Sequence, residues 1–372
     1  INGNGGFTKP DPVNGGGSGT ESDPYIIDGW AIDASSTANG IDIRDTTDSF
    51  IIQNCLIENN GYGIYLNNVK YGRIENNTCR NNADPGIYLY SSSNNTLTGN
   101  TCRNNGGDGI YLTNLSNDNN IENNLCTNNY SGIFLDYSPY PNFLGCHRNT
   151  LNNNICEGNT TNGIWLNHSS NNTLTGNTCR NNGHGIILAQ SSFNNLTGNI
   201  SNNNVYGIVL HQLSNSNTLT NNTCEGNSFD GILLDYHSSG NVLDNNTCRD
   251  NSGSGILVGG CGPPDYSSYN ILVNNTCDSN FYYGVLLDGT SGGNIITLNY
   301  LLNNTPSNAY DDTNAFYCTN AWDYNGKGNY WSDWQPPVHP DNNGDGIVDQ
   351  QRSIEEGNDV DRYPLVISSN TA

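Results

Sequence analysis

Residues 172–188, which read NTLTGNTCRNNGHGIIL, decide the fold of this 372-residue chain. Apolar or small residues alternate with polar ones over short runs, and Asn or Gly separates one run from the next. This period of two is typical of short β-strands, and no helical period appears. The unit recurs, and its Gly-hydrophobic-x-aliphatic segment begins at Gly40, Gly63, Gly86, Gly109, Gly132, Gly163, Gly185, Gly207, Gly231, Gly255 and Gly284.

A repeat of about 23 residues is typical of a solenoid. Three short strands and their turns fill one such repeat, which predicts an all-β, right-handed parallel β-helix of about eleven coils. We expect an N-terminal cap and first strand over residues 1–39, the repeats over 40–299 and a C-terminal cap over 300–372.

The net charge of −23, from 12 basic and 35 acidic residues, argues against nucleic acid or an anionic membrane as a partner. No apolar run reaches the length of a membrane span, and the first residues lack the features of a leader segment. The lack of Met and the many Asn, Gly, Ser and Thr residues suggest a location outside the cell, at its surface.

The central residue of each Gly-hydrophobic-x-aliphatic segment should point outward from the β-helix. Ten consecutive segments place an apolar residue there, which predicts a continuous stripe and favours lateral contact with copies of the same chain. Strand propensity alone is the simpler alternative. The predicted interface contains Tyr65, Tyr88, Tyr111, Phe134, Trp165, Ile187, Val209, Leu233, Leu257 and Leu286.

Cysteine has two patterns in the chain. We expect a buried column of thiols at one repeated position, in Cys55, Cys79, Cys102, Cys126, Cys156, Cys179, Cys224, Cys248 and Cys277. Cys146, Cys261 and Cys318 lie outside this pattern and are candidates for disulfides between subunits, with a Cys318–Cys261 bond within one chain as the alternative.

Catalytic residues are hard to find in the outward column that follows each inward Leu. The column contains no Arg or Lys, and its best acid–base pair is Asp235 with His211. The sequence therefore predicts no enzyme.

Two further kinds of site are expected. Residues 341–349 resemble a calcium loop in spacing, with ligands predicted at Asp341, Asn343, Asp345, Ile347 and Asp349, and an Asx-rich turn is the alternative. Among many Asn-x-Ser/Thr sequons, Asn114, Asn167 and Asn171 are the best candidates for glycosylation.

The segment DPYIIDGW at 23–30, the repeated NNTLTGNTC and GIYL units, and the tail segments GNYWSD at 328–333 and VDRYPL at 360–365 resemble the NosD-like right-handed β-helix family. The Asn-rich and Cys-rich repeats are similar to those of surface-layer or sheath proteins of methanogenic archaea. The resemblance implies a structural protein that assembles with itself into a sheath, layer or filament. The alternative is a carbohydrate-binding or polysaccharide-active β-helix that uses the aromatic half of the stripe.

Overall fold

The fold was analysed in a computed structural model of the chain. The structure describes residues 1–4, 6–8, 16–35, 37–138, 144–259, 267–289, 291–312, 319–356 and 359–367. The chain divides into two compact units, Ile1–Ile186 and Ile187–Ala372, and each consists of coils with three strands per coil.

Three parallel sheets, named A, B and C in the order in which the chain visits them, form unit 1. A 3-10 turn at Gly6–Thr8 precedes them. Sheet A contains β1 Tyr25–Asp28, β4 Phe50–Gln53, β7 Gly72–Glu75, β10 Thr96–Thr98, β13 Asn120–Glu122, β16 Thr150–Asn152 and β19 Thr173–Thr175. Sheet B contains β2 Ala31–Asp33, β5 Leu56–Glu58, β8 Thr78–Arg80, β11 Thr101–Arg103, β14 Leu125–Thr127, β17 Ile155–Glu157 and β20 Thr178–Arg180. Sheet C contains β3 Ile41–Thr46, β6 Ile64–Val69, β9 Ile87–Tyr90, β12 Ile110–Thr113, β15 Ile133–Leu135 and β18 Asn162–Asn167.

Unit 2 repeats the same order of strands, and β21 His184–Ala189 contains the point of division. Sheet A of unit 2 contains β22 Asn195–Thr197, β25 Thr218–Thr220, β28 Val242–Asp244, β31 Ile271–Val273 and β34 Ile295–Thr297. Sheet B contains β23 Ile200–Asn202, β26 Thr223–Glu225, β29 Thr247–Arg249, β32 Thr276–Asp278, β35 Tyr300–Leu302 and β37 Tyr330–Trp331. Sheet C contains β24 Tyr206–His211, β27 Ile232–Leu234, β30 Ile256–Val258, β33 Tyr283–Leu287 and β36 Ser307–Asp311, and a separate antiparallel pair contains β38 Arg352–Ser353 and β39 Val360–Asp361.

Each strand of sheets A, B and C pairs in parallel with the equivalent strand one coil away, so the predicted parallel β-helix is confirmed. In sheet C, Ile110 pairs with Ile133 and Leu112 with Leu135, and all four side chains are fully buried. Identical apolar side chains therefore stack inside the coils, and this column forms the core of each unit. Whether the chain ends are caps, as predicted, stays a prediction.

The repeated Gly is required by close backbone contact. A Cβ placed on Gly109 would lie 2.6 Å from the carbonyl oxygen of Gly132 and 2.9 Å from Cys126. Any side chain at this corner would separate the coils, which explains why every repeat begins its sheet C segment with Gly.

Asparagine forms ladders at the corners, as stacking of the coils suggests. The backbone and side-chain nitrogens of Asn100 donate to Oδ1 of Asn124 at 2.9 and 3.0 Å, and Asn100 Nδ2 also donates to the Ile74 carbonyl. The side chain is thus satisfied although it is buried. Unit 1 has two equivalent ladders. One contains Asn60, Asn82, Asn105, Asn129 and Asn159. The other contains Asn95, Asn119 and Asn149.

The cysteine column is confirmed for all predicted members except Cys55. Cys102 pairs with Cys79 and Cys126, and these thiols are buried and free. At the start of sheet B, Ile57 occupies the column and pairs with Cys79. Cys55 lies instead at an Asn-ladder corner, where its backbone N–H donates to Asn77 Oδ1. Residue spacing placed Cys55 wrongly because this cysteine, although buried, stands two residues before the column position, where the next coil has the ladder residue Asn77.

Candidate functional site

The outer face of sheet C in unit 1 carries a stack of aromatic side chains, which we name the aromatic ladder. Its strands bury the residues before and after each aromatic position, so the rings point outward. The aromatic ladder consists of Tyr62, Tyr65, Tyr88, Tyr111, Phe134 and Trp165.

Adjacent rings of the ladder lie in direct contact. Ring centroids are 4.8 Å apart between Tyr88 and Tyr111, 5.3 Å between Tyr111 and Phe134 and 4.2 Å between Phe134 and Trp165. These three pairs are stacked, with interplanar angles between 7° and 23°. Because the stacked rings cover much of one another's faces, the accessible part of the ladder consists mainly of ring edges.

This packing corrects the picture of a fully exposed apolar stripe. None of the ten predicted interface positions is exposed, and Val209 is buried with 6% of its surface accessible. In unit 2 the same positions hold aliphatic side chains of intermediate burial, such as Leu233 and Leu257. Much of the apolar surface is thus already covered by neighbouring coils within each unit.

A carboxylate lies beside the ladder at the end of β15. Asp136 Oδ2 accepts a hydrogen bond from the Tyr111 hydroxyl at 3.0 Å, and Oδ1 accepts from Tyr137 N at 2.8 Å. Asn167 Nδ2 also donates to Asp136 Oδ1, at 3.0 Å. Asp136 is therefore held by three donors from three different positions of the chain.

Asn167 connects Asp136 to a histidine. Since the Asn167 amide nitrogen donates to Asp136, its oxygen is the acceptor for His168 Nδ1, 3.0 Å away. This arrangement assigns the proton of a neutral imidazole to Nδ1 and leaves the lone pair on Nε2. The His168 ring also packs on Tyr137, with centroids 4.1 Å apart.

Burial shifts the pKa values of Asp136 and His168 in the directions that favour the uncharged form of each side chain. Desolvation raises the pKa of Asp136 above its usual range, against the lowering effect of its hydrogen bonds. Desolvation also lowers the pKa of His168, although the charge of Asp136 acts in the opposite direction. An acid and a base with pKa values shifted in this way are typical of a site that handles protons.

Trp165, the last ring of the aromatic ladder, has a buried indole nitrogen without a hydrogen-bond partner among the described residues. Among the described residues, no acceptor lies within hydrogen-bonding distance of Trp165 Nε1, which is shielded from solvent. A buried indole N–H that lacks an acceptor is costly.

The opposite end of the ladder carries an ion pair. Arg44 Nε and one terminal nitrogen donate to the two carboxylate oxygens of Asp42 at 2.7 and 2.8 Å. The guanidinium also lies 5.0 Å from the centre of the Tyr65 ring. Asp42 holds this cation in place, and Arg44 lowers the pKa of Asp42.

The pair predicted from the sequence lies in unit 2. His211 Nδ1 and Asp235 Oδ1 are 2.7 Å apart, and the His211 ring packs edge-on against Tyr236. Their predicted proximity is confirmed. A Cβ on Gly259, the next position of the same column, would overlap the carboxylate of Asp288, so Asp288 leans into this gap.

Two of the three cysteines predicted to form disulfides between subunits, Cys261 and Cys318, lie outside the described residues. Cys146 is fully buried, and its thiol donates to the Asp136 carbonyl at 3.4 Å. This position does not bring the sulfur to the surface, and disulfide formation by the three remains a prediction.

The predicted calcium loop is folded around its own hydrogen bonds. Asp341 accepts from the backbone of Gly344 and Gly346, and Asn343 Oδ1 accepts from Asp345 N. Asp349 accepts from Asn342, 2.8 Å from its backbone nitrogen. Within the described residues no group of three or more His, Cys, Asp or Glu side chains is placed to hold a metal ion. Calcium therefore stays a prediction from spacing, as does the backbone ligand Ile347.

The three sequons predicted to be glycosylated differ in exposure. Asn171 is exposed and has a φ of 60°. Asn114 and Asn167 are half-buried, and their amide nitrogens donate to Ser91 and Asp136. Asn171 is therefore the most accessible of the three, and their glycosylation remains untested.

Two protein-family models match the chain. The periplasmic copper-binding protein NosD matches residues 115–227 and 158–336, and the right-handed β-helix region matches 17–144. The NosD matches cover more than half of the chain, so the chain belongs to this family of right-handed parallel β-helix proteins. No curated protein matches it.

Solved structures with the same fold include polysaccharide-active enzymes. The A-module of the mannuronan C-5 epimerase AlgE6 from Azotobacter vinelandii has a TM-score of 0.58 at 14% identity, over 82% of this chain and 88% of that one. A double mutant of the periplasmic alginate epimerase AlgG has a TM-score of 0.57 at 15% identity, over 81% of this chain and 84% of that one.

These comparisons overturn two predictions. The sequence favoured a self-assembling sheath, layer or filament and no enzyme, whereas the similar structures are enzymes that act on polysaccharides. The prediction of self-assembly depended on an exposed stripe, and that stripe is half-buried. The resemblance to archaeal sheath proteins is not shown.

The name of the matched family raises the question of copper. Copper sites use thiolate, thioether or imidazole ligands, and the ten described cysteines are buried inside the coils. The described side chains form no cluster of such ligands. We therefore derive no copper chemistry for this chain. Among the described residues, no helix is long and apolar enough to cross a membrane.

Sequence reasoning missed the cluster of Asp136, Asn167 and His168. Asp136 and Asn167 occupy the same outward column as His211 and Asp235. His168 lies outside this column, so the column alone does not pair Asp136 with a base. The signal was an Asp at the start of a long insertion, next to the aromatic half of the stripe.

Proposed function

We propose that the chain is a polysaccharide-active β-helix protein, and that its glycan site is the outer face of sheet C in unit 1. One observation carries this proposal: the aromatic ladder lies directly beside a linked acid and base, Asp136 and His168. Aromatic edges and hydroxyls suit the mixed polar and apolar surface of sugars. The likeness of the fold to alginate epimerases supports the proposal.

Asp136 and His168 would divide the proton chemistry between them. The raised pKa of Asp136 lets its carboxyl group hold a proton at a higher pH than usual. The lowered pKa of His168 favours the neutral imidazole, which is the form that can accept a proton. Asn167 holds both side chains and fixes the histidine tautomer, so we assign it a positioning role.

A location in the cell envelope or outside the cell suits this function. The matched family and one of the similar structures are described as periplasmic. Within this range of locations, we propose that the protein lies at the cell surface.

The test is a screen of the full chain against a panel of polysaccharides, with new reducing ends, unsaturated products and epimerised sugars as readouts. Asp136→Asn keeps an acceptor oxygen for Tyr137 N and Asn167 and turns an amide N–H toward the Tyr111 hydroxyl, which can accept it. The amide cannot release or take up the proton, so we expect a loss of activity of about 100-fold or more. Glu122→Gln, on sheet A of the same unit, should leave activity unchanged. Activity that survives Asp136→Asn would show that the chemistry lies elsewhere.

A further inference from the structure

We propose that the glycan site in unit 1 takes an uncharged polysaccharide and rejects a polyuronate. This inference rests on the proposed function and names its substrate class. It departs from the alginate and mannuronan named for the similar structures.

The first argument is the charge of the face. The described strands of sheet C in unit 1 carry one cationic side chain, Arg44. Arg44 donates two hydrogen bonds to the carboxylate of Asp42, and the two opposite charges cancel. A polyuronate carries one carboxylate per sugar and would find no uncompensated cation on these strands.

The second argument is the presence of an acidic group where the sugars would lie. Asp136 contacts the middle of the ladder through the Tyr111 hydroxyl, and its three hydrogen-bond donors, Tyr111, Tyr137 N and Asn167, are all uncharged. A uronate carboxylate about 6 Å from one ionised Asp would lose roughly 3- to 100-fold in affinity, according to how far water screens the pair. The net charge of −23 adds repulsion of the same sign.

The third argument is that the tyrosine hydroxyls of the aromatic ladder are neutral. Burial raises the pKa values of Tyr65, Tyr88 and Tyr111, so their hydroxyls stay protonated across the physiological range. Hydroxyl groups exchange hydrogen bonds with sugar hydroxyls and ring oxygens without needing a charged partner.

The experiment is calorimetric titration of the full chain with hexasaccharides, neutral glucose or mannose oligomers on one side and mannuronate or guluronate oligomers on the other. At about 20 mM NaCl we expect at least one neutral oligomer to bind about 10-fold or more tightly than either uronate. The difference in affinity between neutral and uronate oligomers should shrink at about 500 mM NaCl. Salt screens the repulsion between the uronate and the protein and leaves the contacts of the neutral oligomer unchanged.

Charge removal provides the matched test. Asp42→Asn and Asp136→Asn should each improve uronate binding severalfold, while Glu122→Gln on sheet A should not. Tight uronate binding that weakens with added salt would overturn this inference and leave the proposed function standing. If no oligomer of either kind binds, or if Tyr111→Ala leaves all binding unchanged, the proposed function itself fails.

Discussion

At the scale of single residues, asparagine has two structural roles that explain why it occurs so often in pairs. Asn123 is exposed and adopts a φ of 56°, the left-handed conformation that Asn tolerates better than most residues. Asn124, the next residue, is buried in the ladder and accepts two hydrogen bonds from Asn100. In other coils Gly replaces the first Asn, as in Gly99 before Asn100.

The two roles predict effects of very different size for substitutions at the two neighbouring positions. Asn124→Ala leaves the backbone and side-chain nitrogens of Asn100 without their acceptor, so we expect the free energy of unfolding to fall by about 2–5 kcal/mol. Asn123→Gly keeps the left-handed backbone and should change it by less than about 0.5 kcal/mol. Denaturant unfolding of the two variants checks this, and equal losses would contradict the assigned roles.

Buried carboxyl groups make stability depend on pH in an unusual direction. Burial raises the pKa of Asp230 to about 6, well above the ordinary value of 3.8. Between these values the folded chain binds more protons than the unfolded chain, so stability falls as pH rises through this window. Asp108 and Asp361, with pKa values raised by burial to about 6, act in the same direction.

We therefore expect Asp230→Asn to stabilise the protein at pH 7. Asn retains an oxygen for the hydrogen bond from Ser254 N and removes the cost of a buried charge, about 3 kcal/mol at most. Near pH 3.5 the substitution should have little effect, because Asp230 is then protonated in the folded state and largely so in the unfolded state. Thermal unfolding across this pH range measures the difference, with the exposed Asp84→Asn as control. Destabilisation by Asp230→Asn at pH 7 would be inconsistent with the raised pKa.

At the scale of elements, the sequence predicted the coils well because every coil repeats the same requirements. The Gly of each sheet C segment, the inward aliphatic pair and the Asn corners follow from close backbone approach, burial and turn conformation. Surface ion pairs between adjacent coils follow the same spacing, for example Arg80 with Glu58 and Arg180 with Glu157. Such exposed pairs contribute little to stability.

The failures occurred where a residue departs from the pattern of its column. Cys55 looked equivalent to the other column cysteines, but it holds the corner position two residues earlier, and strand register shows that Ile57 takes its place in the column. Asp136 and Asn167 directly follow the paired Leu135 and Leu166, so register brings them together, but residue spacing does not show that Asn167 also binds His168. The ring faces of the aromatic ladder could not be located either, because alternation gives the side of a strand and not the tilt of a ring.

At the scale of the whole molecule, the strong negative charge limits which polysaccharides can bind. A net charge of −23 keeps the chain soluble and repels polyanions, so an uncharged glycan is the substrate class that its surface admits. The charge argues against nucleic acid on the same grounds. The fold alone supports many activities, so the assignment depends on the side chains of one face.

The affinity of the full chain and its Trp165 variants for a neutral oligosaccharide is the most direct measurement. Trp165→Ala removes the ring that stacks on Phe134, whereas Trp165→Phe keeps an aromatic ring at this position. We predict that Trp165→Ala weakens binding by about 10-fold or more and that Trp165→Phe has a smaller effect. Unchanged affinity in Trp165→Ala, in a variant that remains folded, would contradict the assignment of this face as the glycan site.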